Sequence, residues 1–507
     1  MYLGEYSLSE TFNTLLELMP VLFIWLLGLI FLAVVVTFVL DISQSKNALL
    51  RNYPVIGHFR YVFSTLGEFF RQYFFAMDRE EMPFNRAERQ WVNRAATDKD
   101  TTIAFGSTKN LVTPGTSIFI NCPFPTLDAD AMQSKPIIIG EGYVQTPYEA
   151  QSIFNISAMS YGAISKPAVL ALSGGARLAN CWLNTGEGGL SPYHLRGGAD
   201  LVFQIGTAKY GVREPDGSLS DARLRDVAQH EQVKMFEIKL SQGAKPGKGG
   251  ILPGIKVTSE IAHIRGIPKG EDSISPNRHV DIANVVELLD MVDRIRNLTG
   301  KPVGFKTVIS DVHWLEDLFQ EVNRRGEASA PDFISVDGGD GGTGAAPMAL
   351  MDNVGLPLRE ALPLVVDSVT KAGLRQRIKV VASGKLITPA DVAWALCVGA
   401  DFVTSARGFM FAIGCIQSLK CNKNTCPTGI TTHNKRLQQG LNPKRKSVKV
   451  ANYVNNITKT VEMIAHACGV KEVRALNRTH VRIVLDDGRS ISMDKLCPIC
   501  SEGEKTQ

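Results

Sequence analysis

The sequence predicts an α/β fold: a closed (β/α)8 barrel behind one N-terminal transmembrane helix, with small N- and C-terminal additions. Three observations predict it. From residue 154 onward, eight short apolar runs end in Gly, Ser or Thr, and helical stretches follow most of them. The loops after these runs collect glycine and charge, but MSYGAIS after the first is no Gly-rich dinucleotide fingerprint, which argues against an open doubly wound sheet. Residues 20–40, PVLFIWLLGLIFLAVVVTFVL, carry no charge.

Residues 1–19 hold Glu5, Glu10 and Glu17 and no Lys or Arg. At 1.5 Å rise, about 20 residues cross the ~30 Å hydrocarbon core, so residues 20–40 read as one spanning helix. Beyond it come Lys46, Arg51 and Arg60 against Asp41, which places the short N-terminus outside and the remainder in the cytoplasm. A cleaved signal peptide would want a basic start, a shorter apolar run and a small-residue cleavage site. Residues 41–150 are mixed, with aromatic-rich NYPVIGHFRYVF and EFFRQYFFAM and then short strands and turns in GSTKNLVTPGTSIFINCPFP; they read as a connector or cap.

Residues 151–433 hold the barrel. Its strand candidates are 154–159 (FNISAM), 181–185 (CWLNT), 201–205 (LVFQI) and 234–240 (KMFEIKL). The series continues with 303–308 (VGFKTV), 333–337 (FISVD), 378–383 (IKVVAS) and 401–405 (DFVTS). Continuous apolar strands alternating with helices over roughly 250 residues are the pattern of a TIM barrel. In residues 434–507, Lys435, Arg436, Lys444, Arg445, Lys446 and Lys449 make a basic stretch. An amphipathic helix is expected around 448–468, then a hairpin, VRIVLDDGRSISM, turning at Asp-Gly.

Composition narrows the function classes. The 507 residues are 44% hydrophobic and 21% charged, which excludes a disordered chain. Lys+Arg 55 against Asp+Glu 50 is too even for a dedicated nucleic-acid binder. Nine Cys are too few for a disulfide scaffold.

A barrel places chemistry at the C-terminal ends of its strands and often holds phosphate on the loops after strands seven and eight. Those loops are ASGK, with Ser383, Gly384 and Lys385, and SARG, with Ala406 and Arg407. The sixth strand runs into DGGDGGTGAAP, with Asp340, Gly341 and Gly342. Such glycine admits a ligand to the backbone or makes tight barrel turns. Lys306, inside the fifth run, either faces the edge of a flavin or pairs with a barrel carboxylate such as Glu237. Cys415, Cys421 and Cys426 form C-x5-C-x4-C followed by Pro427, the donor set of an iron–sulfur or zinc site or three buried thiols. Cys497 and Cys500 make an isolated C-x2-C; Cys122, Cys181, Cys397 and Cys468 read as core. Glu187 after strand two, Lys245 after strand four and Arg265 farther on set an acid and two cations around one barrel mouth. That set suits a dicarboxylate and a proton transfer, or is solvated loop charge.

Taken together in order, ISAMSYGAIS, LNTGEGG, QIGTAKYGV, IKLSQGAKPGKGGILPG, ISPNRHVDI, DGGTGAAP and the cysteine run resemble the flavin domain of glutamate synthase over about 154–433. With YPVIGHFRY behind an anchor, the chain looks like the stand-alone, membrane-anchored FMN-binding glutamate synthase family proteins. The resemblance implies FMN, held by Ala158, Met159, Ser160, Gln204 and Lys306 and, at its phosphate end, by the Asp340–Gly342 loop with Ser383, Gly384, Lys385, Ala406 and Arg407. It implies a [3Fe–4S] cluster on Cys415, Cys421 and Cys426. It aligns Lys245 and Arg265 with 2-oxoglutarate-binding positions and Glu187 with an acid near the ammonia entry. Gln242, on the same loop as Lys245, joins the substrate set.

The implied enzyme is an oxidoreductase of the CH–NH2 class (EC 1.4). It passes electrons through the cluster to FMN and reduces the imine of 2-oxoglutarate, or a related oxo acid, to the amino acid. No glutaminase-type segment or N-terminal Cys nucleophile stands before the barrel, so ammonia is expected from solution or another subunit. A separate donor, ferredoxin or an NAD(P)H-dependent reductase subunit, is expected to supply electrons, no nucleic acid is expected, and a homo-oligomer is compatible with the sequence. Ile251 stands where the family has Gln, Lys248 where it has an acid, Leu190 where an acid usually follows NTGEGG, and Ser383-Gly384-Lys385 where it has Asp-Gly-Gly. These departures bear on the oxo acid; an FMN enzyme for a different oxo or hydroxy acid and a non-catalytic electron-transfer subunit are the alternatives.

Overall fold

The computed structural model describes residues 7–498, so Glu5 and Cys500 lie outside the described residues. Contacts divide the chain into two compact units, Met1–Arg86 and Ala87–Gln507. The stretch read above as one connector is thus split between them at Arg86.

In the first unit, one helix, Ser7–Ser43, contains the uncharged run. Its part Leu16–Ser43 has a mean hydropathy of 2.9 and is long and apolar enough to cross a bilayer, as a signal sequence also is. The chain turns back at its end. Asp41 accepts the Val55 N–H at 2.9 Å and faces His58 Nε2 at 3.0 Å. These contacts start the helix Ile56–Phe70.

The second unit is built on a closed barrel of eight parallel strands. They are β1 (Phe154–Ile156), β2 (Leu183–Asn184), β3 (Leu201–Ile205), β4 (Val233–Lys239), β5 (Val303–Thr307), β6 (Phe333–Asp337), β7 (Lys379–Ser383) and β8 (Phe402–Ser405). All eight expected runs form them, in chain order around the barrel, and β8 closes onto β1 with Val403 opposite Phe154. The runs are uninterrupted rather than alternating because helices cover the outer face and side chains fill the inner one.

The floor of the barrel has a plug that the sequence did not announce. A hairpin of Ile137–Ile139 and Tyr148–Ala150 packs Ile139 and Tyr148 against Trp182, Val202, Met235, Phe333, Val381 and Phe402. The C-terminal helix runs Pro443–Ala467, starting five residues before the expected 448, because Asn442 caps it and Pro443 occupies its first turn. It lies against the helix Lys166–Leu178 so closely that a Cβ on Gly175 would come within 2.4 Å of Val450. The tail forms the expected hairpin, Val481–Val484 with Ser490–Ser492, and Ser117–Phe119 joins it as a third strand. Cys181, Cys397 and Cys468 are buried as expected; Cys122 is only half-buried.

Candidate active site

The barrel mouth is assembled from the loops and last residues of the strands. Its inner layer is polar and internally paired. Glu237 on β4 accepts from Asn184 Nδ2 at 2.8 Å, Gln204 Nε2 at 2.7 Å and Ser335 Oγ at 2.6 Å. Four polar side chains are thereby satisfied inside the barrel, which is what buried polar groups require. Lys306 does pair with a barrel carboxylate, but with Asp337 at 3.2 Å rather than Glu237, because Glu237 already takes three donors. Asp337 also accepts the Gly243 N–H at 2.9 Å and Ser383 Oγ at 2.8 Å, tying the loop after β4 to the ends of β6 and β7.

Above this layer sits a cluster of charge. Lys239, the last residue of β4, contacts Glu187 Oε1 at 2.8 Å. Lys245 and Arg265 add positive potential at the same carboxylate. Burial pushes the Glu187 carboxyl up, yet Lys239, Lys245 and Arg265 overcome it and hold the group down at about 2. Lys245 is only 5% exposed. Burial first, and then the neighbouring Lys239 cation, bring its ammonium down to about 8, against the pull of Glu187. Arg265, equally buried, lies over the Tyr210 ring at 5.1 Å and donates to Ser273 Oγ at 3.3 Å and Ser160 Oγ at 3.4 Å. Its guanidinium is oriented by three elements before any ligand arrives.

Glycine makes this convergence possible. A Cβ on Gly250 would sit 2.3 Å from Glu187 Oε1, and one on Gly186, at φ 64°, would sit 2.6 Å from the Ser160 N atom. The segment Ala158, Met159 and Ser160 therefore packs directly on the loop that carries Glu187.

On the opposite side of the mouth, the loops after β6, β7 and β8 meet at Asp340. Lys385 Nζ is 4.0 Å from Asp340 Oδ2, and Arg407 Nη2 donates to Asp340 O at 3.2 Å. Gly338 and Gly339 are tight-turn residues, with Leu358 N and Gly355 O occupying the space a Cβ would need. Gly342 differs: its missing Cβ leaves room for the Arg407 side chain, 2.6 Å away at Nε. Gln242, expected beside the substrate, instead donates to Gly342 O at 3.1 Å and stands with this second group of loops.

The cysteine segment docks on the loop that leaves β1. Ser165 N donates to Ile430 O at 2.7 Å, and His433 Nε2 meets Gly162 O at 2.8 Å. Cys415, Cys421 and Cys426 lie close enough to influence one another electrostatically. Burial raises the Cys415 thiol to about 11; burial also pushes Cys426 up, but hydrogen bonds with Thr428 and Thr431 leave it lowered. Among the described residues no three His, Cys, Asp or Glu converge as for a single metal ion. A multinuclear cluster spreads its thiolates more widely than one ion does, and three thiols in mutual range are donors of the kind an iron–sulfur cluster takes.

Lys239 and Asp337 do evident work here and were not singled out from the sequence, and Glu237 was named there only as a partner for Lys306. Lys239 and Glu237 lie inside an apolar strand run, and their charges at the C-terminal end of a barrel strand were the available signal. Asp337 ends β6 in the same way.

The conserved region in glutamate synthase matches residues 107–471. This chain belongs to the glutamate synthase family. It is 38% identical to the glutamate synthase large subunit-like protein YerD of Bacillus subtilis, over 93% of this chain and 97% of that one. It is 36% identical to the archaeal glutamate synthase [NADPH] of Methanocaldococcus jannaschii and 35% identical to the archaeal-type glutamate synthase [NADPH] of Thermotoga neapolitana. Each of those two matches covers 64% of this chain and 61% of the relative, about three fifths of the relative's length. Within this glutamate synthase family barrel the residues fit FMN. A buried cation, Lys306, stands in the polar inner layer, and Lys385 and Arg407 gather at Asp340 where the loops after β6, β7 and β8 meet.

Proposed function

We propose that this chain is a membrane-tethered, glutamate synthase-like oxidoreductase that reduces the imine of an oxo acid and ammonia to an amino acid. The observation that carries the reading is the convergence of Lys239, Lys245 and Arg265 on one barrel mouth, above the polar layer of Glu237 and Lys306. Three buried cations against one carboxylate leave positive charge to be matched, and a dicarboxylate oxo acid matches it.

FMN, seated by Ala158–Ser160, Gln204, Lys306 and the loops that meet at Asp340, would supply the hydride. The [3Fe–4S] cluster, on Cys415, Cys421 and Cys426, would supply single electrons. The protein does the rest. Arg265, fixed by Tyr210, Ser273 and Ser160, orients a carboxylate; Lys239 and Lys245 neutralise it. Glu187 is held too low for a general acid, so its part is that of a fixed anion that keeps the neighbouring ammonium groups charged.

The helix Ser7–Ser43 would tether the barrel in the cytoplasm by a single pass. Exposed Lys435, Arg436, Lys444 and Arg445 offer an acidic carrier such as ferredoxin, or a reductase subunit, a docking surface, and Lys446 from the same stretch stands beside Gly414, next to Cys415.

The test is anaerobic reduction of the purified holoprotein, then mixing with 2-oxoglutarate and ammonium while oxidised-flavin absorption is followed. Rapid reoxidation with glutamate formed is the expected result. A flavin that stays reduced discards the glutamate assignment and favours a different oxo acid. Ile251 is the observation behind that second reading: it is half-buried beside Gly250, which packs on Glu187, and it brings no hydrogen-bond donor to the mouth.

The pH dependence follows from Lys245. The ammonium form binds the carboxylate and is present below about 8. Hence kcat/KM for the oxo acid is expected to be level below about 8 and to fall ~10-fold per pH unit above it, where one proton is lost. Glu187→Gln removes the anion that holds Lys245 up, so the alkaline limb should move to lower pH. A profile flat to pH 10 would exclude Lys245 from substrate binding.

A further inference from the structure

Lys256 is 2% exposed, ends the 3-10 turn Gly254–Lys256, and is used by nothing described so far. Its turn is held rigidly. Gly254 N donates to Asp272 Oδ1 at 2.6 Å, and a Cβ on Gly254 would be 2.3 Å from Gly270 O. The ammonium donates to Ala163 O at 2.9 Å and Cys421 O at 3.1 Å. Among the described residues no carboxylate forms an ion pair with it or with buried Lys245 and Lys301, whereas buried Lys209, Lys239 and Lys306 meet Asp281, Glu187 and Asp337. The ionisable groups around it are the Cys421 and Cys426 thiols, His433 and the like-charged Arg265.

Taking an ammonium out of water costs several kcal/mol when no anion answers it. The anion that can answer this one is a thiolate-bound centre at Cys421 and Cys426. We infer that Lys256 is a positioning residue whose ammonium charge raises the reduction potential of the iron–sulfur cluster on Cys415, Cys421 and Cys426. The inference rests on the cluster reading given under Proposed function. The physical reason is Coulombic: reduction adds one negative charge to the cluster, and a buried cation beside two of its ligands stabilises that charge through a poorly screening interior. Lys256 also joins the two relevant segments. Ala163 lies on the loop that leaves β1, past Ala158–Ser160, and Cys421 lies on the cluster loop, so one side chain ties these two loops together.

The test compares full-length holoprotein with Lys256→Met, Lys256→Gln and Lys256→Arg, using iron content and an EPR-monitored redox titration. Replacement of a buried charge by an apolar residue of similar volume is often tolerated, so the Met variant is expected to fold. In both neutral variants the reduced-to-oxidised ratio of the cluster at a fixed potential should fall at least ~10-fold, which is about 59 mV for one electron. The flavin potential should move less, and the Arg variant should stay near the wild type. A wild type without iron and without the EPR signal overturns the cluster reading and this inference with it. A cluster present in all four proteins with one common potential overturns this inference alone. So does a pair of neutral variants that fail to fold beside a folded Lys256→Arg, because the cation would then serve structure only.

Discussion

Replacing Lys245 by methionine is expected to raise KM for the oxo acid by about 10²- to 10³-fold, with kcat falling far less. Methionine keeps the length and the buried methylenes but deletes the ammonium. A buried charged partner of a ligand is worth about 2–5 kcal/mol, and each 1.4 kcal/mol is tenfold. The loss should fall on binding because Arg265 and Lys239 still hold the substrate's position once bound. Steady-state kinetics with varied oxo acid checks the effect, and near-UV circular dichroism checks that the barrel is intact. Unchanged KM would mean that the three cations serve only to balance Glu187. It would also turn attention to a non-catalytic electron-transfer role for this glutamate synthase relative.

The second large effect lies at the other end of the barrel. Asp332 is fully buried. Its Oδ1 is 2.8 Å from Arg377 Nη1, while Oδ2 meets Arg296 Nη2 at 3.3 Å and accepts the Val303 N–H at 2.7 Å. Val303 opens β5, Asp332 immediately precedes β6, and Arg377 lies just before β7, so one carboxylate joins the N-terminal ends of three consecutive strands. Asp332→Ala leaves the buried Arg377 guanidinium without its anion and Arg296 with Asp293 alone, and is expected to cost about 3–5 kcal/mol, as breaking buried pairs does. Urea unfolding should show a lower midpoint with unchanged slope. The flavin absorbance of protein that remains folded should be normal, because the lesion sits at the face of the barrel that carries stability rather than chemistry. A midpoint within experimental error of the wild type would show that the two arginines find other partners.

Much of the candidate site is legible in the chain because it is written in loops. Loops after barrel strands are exempt from the volume constraints of the core, so Glu187, Lys245, Arg265 and the C-x5-C-x4-C run stand out against small residues. What hides is charge placed inside strands. Lys239 and Glu237 sit in an apolar run whose neighbours mask them, and Asp332 looks like an ordinary residue before a strand. Their meaning depends on partners far away in sequence: Glu187 for Lys239, Ser335 for Glu237, Arg296 and Arg377 for Asp332.

The eight-strand barrel, its order and the uncharged N-terminal helix follow from the sequence by itself, because apolar runs of strand length must be buried on both faces and a charge-free stretch of bilayer length has few other uses. Long-range pairing was decided only in three dimensions. Lys306 meets Asp337 instead of Glu237, Gln242 turns to Gly342 instead of the cations, and the hairpin Ile137–Ile139 with Tyr148–Ala150 closes the barrel floor. Local patterns record which side chains must leave water. Which buried donor meets which buried acceptor depends on how strands and loops register across the barrel, and that is settled by packing and charge balance together.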